Sequence, residues 1–252
     1  YLVMEYLDGE DLHARLRHTH TRYLEFNPSL YLYADVDVRP DGSFRCIYSG
    51  TAFTREALLG IDRTIENQRR TALDEQLCSM VTETSPAELK ALLLAVEDRL
   101  PFSCEHAVPE RWFGKSNPLR GDLHNLFVCD ARHVAFRGGA SYASLSQSGT
   151  DWTCESSPAG RRDGASFEPV QGRGAVARAV LYFLLRYRSD RDHIEPLRRS
   201  GPALLTLLRS WNEADPVSLY ERHRNVIIQR LQGCRNPLID MPELVSRLDL
   251  LD

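Results

Sequence analysis

The stretch from Ser103 to Arg137 constrains this chain most, because it concentrates the side chains that carry chemistry. Glu105 and His106 stand side by side, and the apolar run Leu126–Val128 follows a loop rich in Gly, Asn and Pro. A strand, a loop, a second strand and a short helix fit this order. The stretch therefore predicts a compact ββα unit in which an imidazole faces a metal ion held by a carboxylate.

Four blocks of the sequence carry a family resemblance. They read EHAVPERWFG at 105–114, SNPLRGDLHNL at 116–126, GRGAVARAVLYFLLRY at 172–187, and WNEADP at 211–216 with RNVIIQRLQGCRNPLID at 224–240. In type and order they resemble the endonuclease I family, a branch of the His-Me finger (ββα-metal) nucleases. A lone Glu-His pair is a weak signal, but four ordered blocks over more than half the chain are specific.

The resemblance implies an α+β fold. Its parts are a ββα-metal core over about 100–140, an N-terminal β-hairpin, surrounding helices and a helical C-terminal part over 172–245. A chain of 252 residues buries one sizeable core or two small ones. We expect one endonuclease I-like domain over residues 1–252.

Composition narrows the functional classes. The chain is 42% hydrophobic and 26% charged, as in a soluble globular protein, and no apolar run approaches the roughly 20 residues that a bilayer requires. The net charge of −4 is unusual for a protein that grips a polyanion. All basic residues except Lys90 and Lys115 are arginine, whose planar fork fits phosphate.

The resemblance implies a metal-dependent endonuclease that hydrolyses phosphodiester bonds with little sequence preference. Its substrate is DNA, or DNA and RNA, held through the backbone phosphates. We expect a monomer without a membrane partner. The family is mostly secreted or periplasmic. Because the chain opens without Met and without a signal peptide, its compartment stays open and its N-terminus is compatible with truncation.

The resemblance assigns the reaction to two neighbours. His106 matches the general base, which in the family is held in its tautomer by a backbone carbonyl, and a neutral imidazole can take a proton from water near pH 7. Glu105 matches the ligand of a divalent ion, Mg²⁺ or else Mn²⁺ or Ca²⁺, held otherwise by water and substrate oxygens. The alternatives are a buried structural histidine and a salt bridge from Glu105 to Arg111.

One position departs from the family. The second protein ligand is normally an asparagine twelve residues after the aspartate that matches Asp122, and Val134 stands there. Asn125 is the substitute that the sequence offers. Without it, either Glu105 holds the ion with water and phosphate alone, or the chain is a catalytically weakened descendant that binds nucleic acid or protein.

Further roles follow from the same blocks. We expect Arg120 and Arg137 to contact phosphate and to stabilise the leaving group. Asp122 and His124 are expected to hydrogen-bond the loop and orient the base. Arg178, in the helical block, is expected to pair with a carboxylate inside the core.

Six cysteines allow a metal site or disulfides. Cys104 precedes Glu105, Cys129 ends the second strand, His133 follows in a C-x3-H spacing, and Cys154 lies in the loop beyond. These four residues could complete a tetrahedral structural zinc site. Free buried thiols, or a disulfide between Cys104 and Cys129, are equal alternatives.

The remaining elements are predicted from pattern and capping residues. His13, His18 and His20 are expected at the surface. The chain is predicted to open with a buried strand and a turn at Asp8-Gly9, followed by a helix over 10–18 and a hairpin over 31–53 that turns at 39–42. A helix over 54–79 and a buried helix from Ser85 to Leu100 come next. After the ββα stretch we predict a long loop over 138–164 and helices over 174–188, 203–211 and 217–231, the last capped by Asp215 and stopped at Gly233.

Overall fold

The computed structural model describes residues 12–79, 84–145, 154–191 and 194–248. Helices and small sheets mix along the chain, which makes the fold α+β. The helices are α1 (Leu12–Thr19), α2 (Pro28–Tyr31), α3 (Arg55–Ser79), α4 (Pro86–Arg99), α5 (Ala131–Arg137), α6 (Arg173–Arg186), α7 (Arg188–Arg191), α8 (Glu195–Ala214), α9 (Leu219–Gln232) and α10 (Pro237–Asp240). The strands are β1 (Phe44–Arg45), β2 (Ala52–Phe53), β3 (Cys104–His106), β4 (Leu126–Val128), β5 (Ser141–Tyr142), β6 (Glu155–Ser157), β7 (Gly160–Asp163) and β8 (Ser166–Pro169).

Helix α6 is the centre of the larger hydrophobic core. Every residue from Gly174 to Arg186 is buried, and the helix packs along α8. Its Ala, Val, Leu and aromatic residues leave no polar face, so the helix needs neighbours on all sides. The helix predicted over 174–188 is confirmed. Arg178 lies inside this core and donates to both carboxylate oxygens of Glu221 at 2.7 and 2.9 Å, as predicted.

Strands β3 and β4 run antiparallel, with Glu105 opposite Phe127 and His106 opposite Leu126. Helix α5 begins soon after β4, and the Asp130 side chain caps its N-terminus. The predicted order of strand, loop, strand and short helix is therefore present.

Strand β4 separates two buried clusters. Leu126 and Val128 belong to a smaller cluster, whereas Phe127 and Cys129 belong to the larger one around α6. Successive side chains of a strand point to opposite faces, so one short strand supplies both. The apolar run between 126 and 129 thus fixes the ββα unit from two sides.

The segment after α1 is fastened to the end of α9. The N–H groups of Thr21 and Arg22 both donate to the Gln232 carbonyl at 3.2 Å, and the Gln232 amide donates to His20 at 2.8 Å. His20 is consequently buried, so its predicted surface position is wrong, whereas His18 is exposed.

The hairpin predicted over 31–53 is largely wrong. Residues Leu32–Val36 form a π-helical turn that continues α2, and the short hairpin lies further on, between β1 and β2. The predicted turn before it is present, because the Gly42 N–H donates to the Arg39 carbonyl at 2.8 Å. The alternation of YLYADVDV reflects a helical segment that buries Leu32, Tyr33 and Val36 against the smaller cluster.

The long loop predicted over 138–164 is also wrong in its described parts. Strand β5 pairs in parallel with β8, which pairs with β7, which pairs with β6, giving a four-stranded sheet. These strands are short and rich in Ser, Arg and Glu, so they lack the apolar alternation that marks a strand.

The predicted helices mostly hold. α3 matches 54–79, and Ser85 with Glu88 forms the predicted capping box of α4. The burial predicted for α4 is wrong, since Leu89 and Leu93 are exposed. The helix predicted over 203–211 is the second half of α8.

The start of α9 differs from the prediction, whereas its end agrees. Ser218 caps the helix in a capping box with Glu221, and the Asp215 carboxylate instead accepts the Gly174 N–H at 2.8 Å. Gly233 ends the helix with φ of 92°. The described part of α1 begins at Leu12, and the predicted opening strand and its turn at Asp8-Gly9 lie outside the described residues. Among the described helices, none combines the length and apolar character that crossing a bilayer demands.

Two helical glycines provide a matched stability test. A Cβ on Gly174 would stand 2.0 Å from the Asp215 carbonyl oxygen, whereas a Cβ on Gly60 in α3 would meet open space. We expect Gly174→Ala to destabilise the fold by about 1–3 kcal/mol through overpacking. Gly60→Ala should stabilise it by about 0.5–1 kcal/mol through helix propensity. Urea unfolding of both variants measures the difference, and equal effects would contradict the packing around Asp215.

Candidate active site

His106 ends β3 with its two ring nitrogens in different surroundings. Nε2 lies 2.9 Å from the Arg120 carbonyl, which can only accept, so Nε2 carries the proton and Nδ1 keeps a lone pair. Nδ1 lies 3.8 Å from Glu110 Oε2. Burial lowers the pKa of His106 below its ordinary 6.5, and the Glu110 carboxylate opposes that shift only in part. The imidazole is therefore neutral and basic at pH 7.

Glu105 is buried, and only one of its two carboxylate oxygens is hydrogen-bonded. Its Oε1 accepts from Arg137 and, at 3.3 Å, from the Tyr48 hydroxyl. Its Oε2 has no hydrogen-bond partner among the described residues. Burial raises the pKa of Glu105 to about 7, even though Arg137 favours the charged form. A buried carboxylate oxygen without a hydrogen-bond partner can serve as a ligand for a cation.

Arg137 is not the phosphate contact that the sequence predicts. Its side chain has 0% exposure and closes the last turn of α5 against β3. Besides Glu105, it donates to the carbonyls of His106 at 2.8 Å and Ala107 at 2.9 Å. Because this guanidinium faces the interior, its role is to position Glu105 and the backbone beyond it.

Arg120 stands at the mouth of the site. Its guanidinium donates to Glu97 at 2.8 Å and to Glu110 at 2.9 Å, and it lies over the Phe26 ring at 4.4 Å. About 20% of the side chain is exposed. Of the two arginines predicted to touch phosphate, Arg120 is the one within reach of solvent.

Lys115 joins the same group of charges. Its ammonium contacts Glu97 at 2.9 Å, Asp98 at 3.1 Å and Glu110 at 3.4 Å. The positive charges of Arg120 and Lys115 are thus balanced by carboxylates from α4 and from the turn after β3. The mouth carries both signs of charge, in close contact.

Glu105, His106, Glu110 and Arg120 line a cavity of about 60 Å³. That volume has room for an ion and a few water molecules. Val134, which stands at the family's second ligand position, also lines it. The lining includes Phe26, Glu97, Asp98, Phe102, Glu105, His106, Glu110, Arg120 and Val134.

Asn125 does not take the missing ligand's place. Its amide oxygen accepts from the Val108 N–H at 2.8 Å, and its amide nitrogen donates to the Val108 carbonyl at 3.1 Å. Both polar atoms are committed to the backbone that follows His106, and Asn125 is not among the residues that line the cavity. The predicted metal role is corrected to a brace for that loop.

Asp122 and His124 do not orient His106. The Asp122 carboxylate accepts from the Tyr182 hydroxyl at 3.2 Å and the Tyr187 hydroxyl at 2.9 Å. The His124 ring lies 3.3 Å from the Cys234 carbonyl, and burial lowers its pKa to about 4. These two residues fix the loop before β4 to α6 and to the turn after α9. The orienting contact for the base is the Arg120 carbonyl.

The predicted zinc ligands do not meet as a set. Cys129 and His133 do approach, but the third member is Cys46, not Cys104 or Cys154. Cys104 belongs to the smaller cluster on the other side of β4, and Cys154 lies at the start of β6. All six cysteines are free, so the alternative disulfide between Cys104 and Cys129 is absent.

Three further residues at the site were not predicted. Phe26 lies far upstream, yet its ring centroid is 5.4 Å from that of His106. Tyr48, which bonds Glu105, comes from the loop after β1. Glu110 had a usable signal, because it stands four residues after His106 in a charged block.

A base with one available nitrogen, a carboxylate with one free oxygen and an arginine at the mouth are what a phosphodiester-cleaving site requires. Such a set of groups is of the kind found in hydrolytic sites. The chain belongs to the endonuclease I family, whose sequence model matches residues 10–243.

Two relatives bear the name extracellular ribonuclease. The protein from Bacillus subtilis (strain 168) is 33% identical over 146 residues, covering 54% of this chain and 49% of the relative. The protein from Bacillus amyloliquefaciens is 32% identical over the same shares. The chain spans about half the length of the curated relatives it matches.

Replacing Arg137 by methionine tests the buried pair. We expect Arg137→Met to destabilise the protein by about 3–5 kcal/mol, because it leaves the Glu105 charge buried without a partner. Adding Glu105→Gln should recover part of the loss. Arg132→Met, on the same helix with 86% of its side chain exposed, should leave stability almost unchanged. Calorimetry measures the stability of all three variants. Equal losses of stability in the two methionine variants would contradict the buried ion pair between Arg137 and Glu105.

Proposed function

We propose that this chain is a metal-dependent, largely sequence-non-specific endonuclease, with β3, β4 and α5 as a His-Me finger core. One observation carries the proposal. The His106 ring is held through Nε2 by a backbone carbonyl, while the Glu105 carboxylate beside it keeps an unbonded oxygen, and both line one cavity.

His106 acts as the general base. Its Nδ1 takes a proton from the attacking water, while the Nε2–H stays on the Arg120 carbonyl. The imidazolium formed lies 3.8 Å from the Glu110 carboxylate, which stabilises the new charge. Phe26 packs on the imidazole ring and limits its rotation.

Arg120 binds the substrate phosphate. It already lies between two carboxylates, so a phosphate oxygen replaces one of them and meets a guanidinium held by its partners and by Phe26. Arg137 contributes indirectly by keeping the Glu105 carboxylate and the His106 backbone in place.

The site fits a hard divalent cation, with Mg²⁺ favoured and Mn²⁺ or Ca²⁺ as substitutes. Glu105 Oε2 would hold it, and the apolar Val134 adds no donor, so water and phosphate oxygens would complete the coordination. When bound, such an ion neutralises charge that develops on the phosphate oxygens. The proposed reaction uses no zinc.

RNA joins DNA as a proposed substrate, because both relatives are named ribonucleases. Their names also support an extracellular setting for this chain. Recognition through phosphate groups fits a small cavity that Arg120 lines with a partly exposed guanidinium.

Val134 supports a second candidate, a catalytically weakened descendant that binds nucleic acid or protein. An ion held by one carboxylate oxygen is held weakly, and Arg120 begins in ion pairs. Binding of plasmid and RNA without cleavage in Mg²⁺ would favour this candidate over the enzyme.

Cleavage assays on His106 test the enzyme. Supercoiled plasmid and single-stranded RNA are incubated with the protein in Mg²⁺, Mn²⁺ or EDTA. We expect cleavage with the metals, none in EDTA, and a fall of about 10²- to 10⁴-fold for His106→Ala, because the general base is lost. His124→Ala, which removes a buried histidine outside the cavity, should cleave at near the normal rate wherever circular dichroism shows it folded. Equal loss in both variants would make His106 structural.

Substitution of Val134 tests the proposed cation site. We expect Val134→Asn to lower the Mg²⁺ concentration needed for half-maximal cleavage, since an added oxygen donor strengthens a sparse hard-cation site. Val134→Ala changes the volume without adding a donor and is the control. If the asparagine and alanine variants respond alike to Mg²⁺, the ion does not bind beside position 134.

A further inference from the structure

Cys46, Cys129 and His133 bring three metal-binding atoms to one buried point. The Cys46 sulfur lies 3.2 Å from the Cys129 sulfur and 3.4 Å from His133 Nδ1. All three atoms fall within 4.8 Å of one another. The exposed fractions are 2%, 0% and 7%, so the cluster is closed to bulk solvent.

The three donors come from separate parts of the fold, and backbone hydrogen bonds hold each in place. Cys46 follows β1 and donates its N–H to the Thr51 carbonyl at 2.9 Å. Cys129 follows β4 and donates to the Ser103 carbonyl at 3.0 Å, while His133 lies in the first turn of α5. The cluster therefore exists before any ligand arrives, which lowers the cost of binding.

We propose that Cys46, Cys129 and His133 bind one thiophilic divalent cation, zinc by preference. Two thiolates and an imidazole suit zinc, and a solvent molecule takes the fourth tetrahedral position. Two metal–sulfur bonds form, and the protons still on the two thiols pass to solvent. With metal–sulfur bonds of about 2.3 Å, the two sulfurs lie about 3.8 Å apart, so binding moves them apart by about half an ångström.

This site is separate from the proposed Glu105 cation site and does not depend on catalysis. It ties the loop after β1, the end of β4 and the start of α5 together. His133 and Arg137 are four residues apart on α5, hence on one side of the helix. An ion bound at His133 therefore fixes the helix that carries the partner of Glu105.

A disulfide between Cys46 and Cys129 is the competing use of the same sulfurs. That bond would involve two of the three groups and leave His133 Nδ1 with no part in the cluster. The convergence of the imidazole on the sulfurs favours the cation.

Cobalt and zinc serve as probes of the whole chain, purified in a non-thiol reductant. We expect one cobalt per chain, with a sulfur-to-cobalt charge-transfer band in the near ultraviolet, displaced by one zinc. Cys46→Ser and Cys129→Ser should each weaken binding by more than about 100-fold, beyond the effect of losing an outer-shell partner. Cys104→Ser, which alters a buried thiol outside the cluster, should bind normally.

His133→Cys keeps the test decisive if a serine variant fails to fold. It should retain one cobalt and strengthen the charge-transfer band, because a third sulfur joins the ion. The proposal is overturned if folded wild-type protein binds no cobalt or zinc, or if Cys104→Ser loses the ion as Cys46→Ser does. It is also overturned if mass spectrometry finds Cys46 and Cys129 joined in a disulfide when excess zinc is present during exposure to air.

Discussion

The ion pair between Arg137 and Glu105 is the interaction on which the cavity depends. Both side chains are almost fully buried, at 0% and 4% exposure, and a buried charge is tolerated only where partners satisfy it. Arg137 meets that condition with Glu105 and with the carbonyls of His106, Ala107 and Ala140. One guanidinium therefore connects α5, β3 and the following turn. It engages one carboxylate oxygen and leaves the second without a hydrogen-bond partner among the described residues.

Burial governs the ionisation of the groups inside the cavity, whereas ion pairs dominate at its mouth. Inside, loss of water disfavours ionisation, so His106 is neutral and the Glu105 pKa lies near 7. At the mouth, Arg120 pairs with Glu97 and Glu110, and the nearly buried Lys115 side chain also contacts Glu97. A chain of net charge −4 can thus still offer an arginine to phosphate, provided that phosphate competes with acidic side chains already present. The affinity of this mouth for a phosphate group should be modest and sensitive to salt.

Features set by residues a few positions apart were predictable from the sequence. The Ser85 cap, the Gly233 stop and the ββα order around His106 depend on local geometry, and the structure has them. The Tyr31–Val38 segment was mispredicted because period-two alternation of apolar residues also fits a short irregular helix pressed on a core. Phe26 at the site was beyond prediction, since its contact with the base crosses eighty positions of the chain and no local pattern encodes such a distance. The contact of Asn125 with Val108 and the approach of Cys46 to Cys129 and His133 likewise join residues that no local pattern links.

The attachment of residues 20–22 to Gln232 has a consequence for synthesis of the protein. Phe26 follows this attachment directly and supplies the wall against which His106 packs. Translation proceeds from the N-terminus, so β3, β4 and α5 leave the ribosome about a hundred residues before Gln232 does. Contacts between such distant positions form late, after loop closure has been overcome. A nascent chain therefore holds the base, its carboxylate and Arg120, which contacts Phe26, before residues 20–22 can be fastened to Gln232. The proposed nuclease would thereby lack this last attachment while it is still bound to an RNA-based machine.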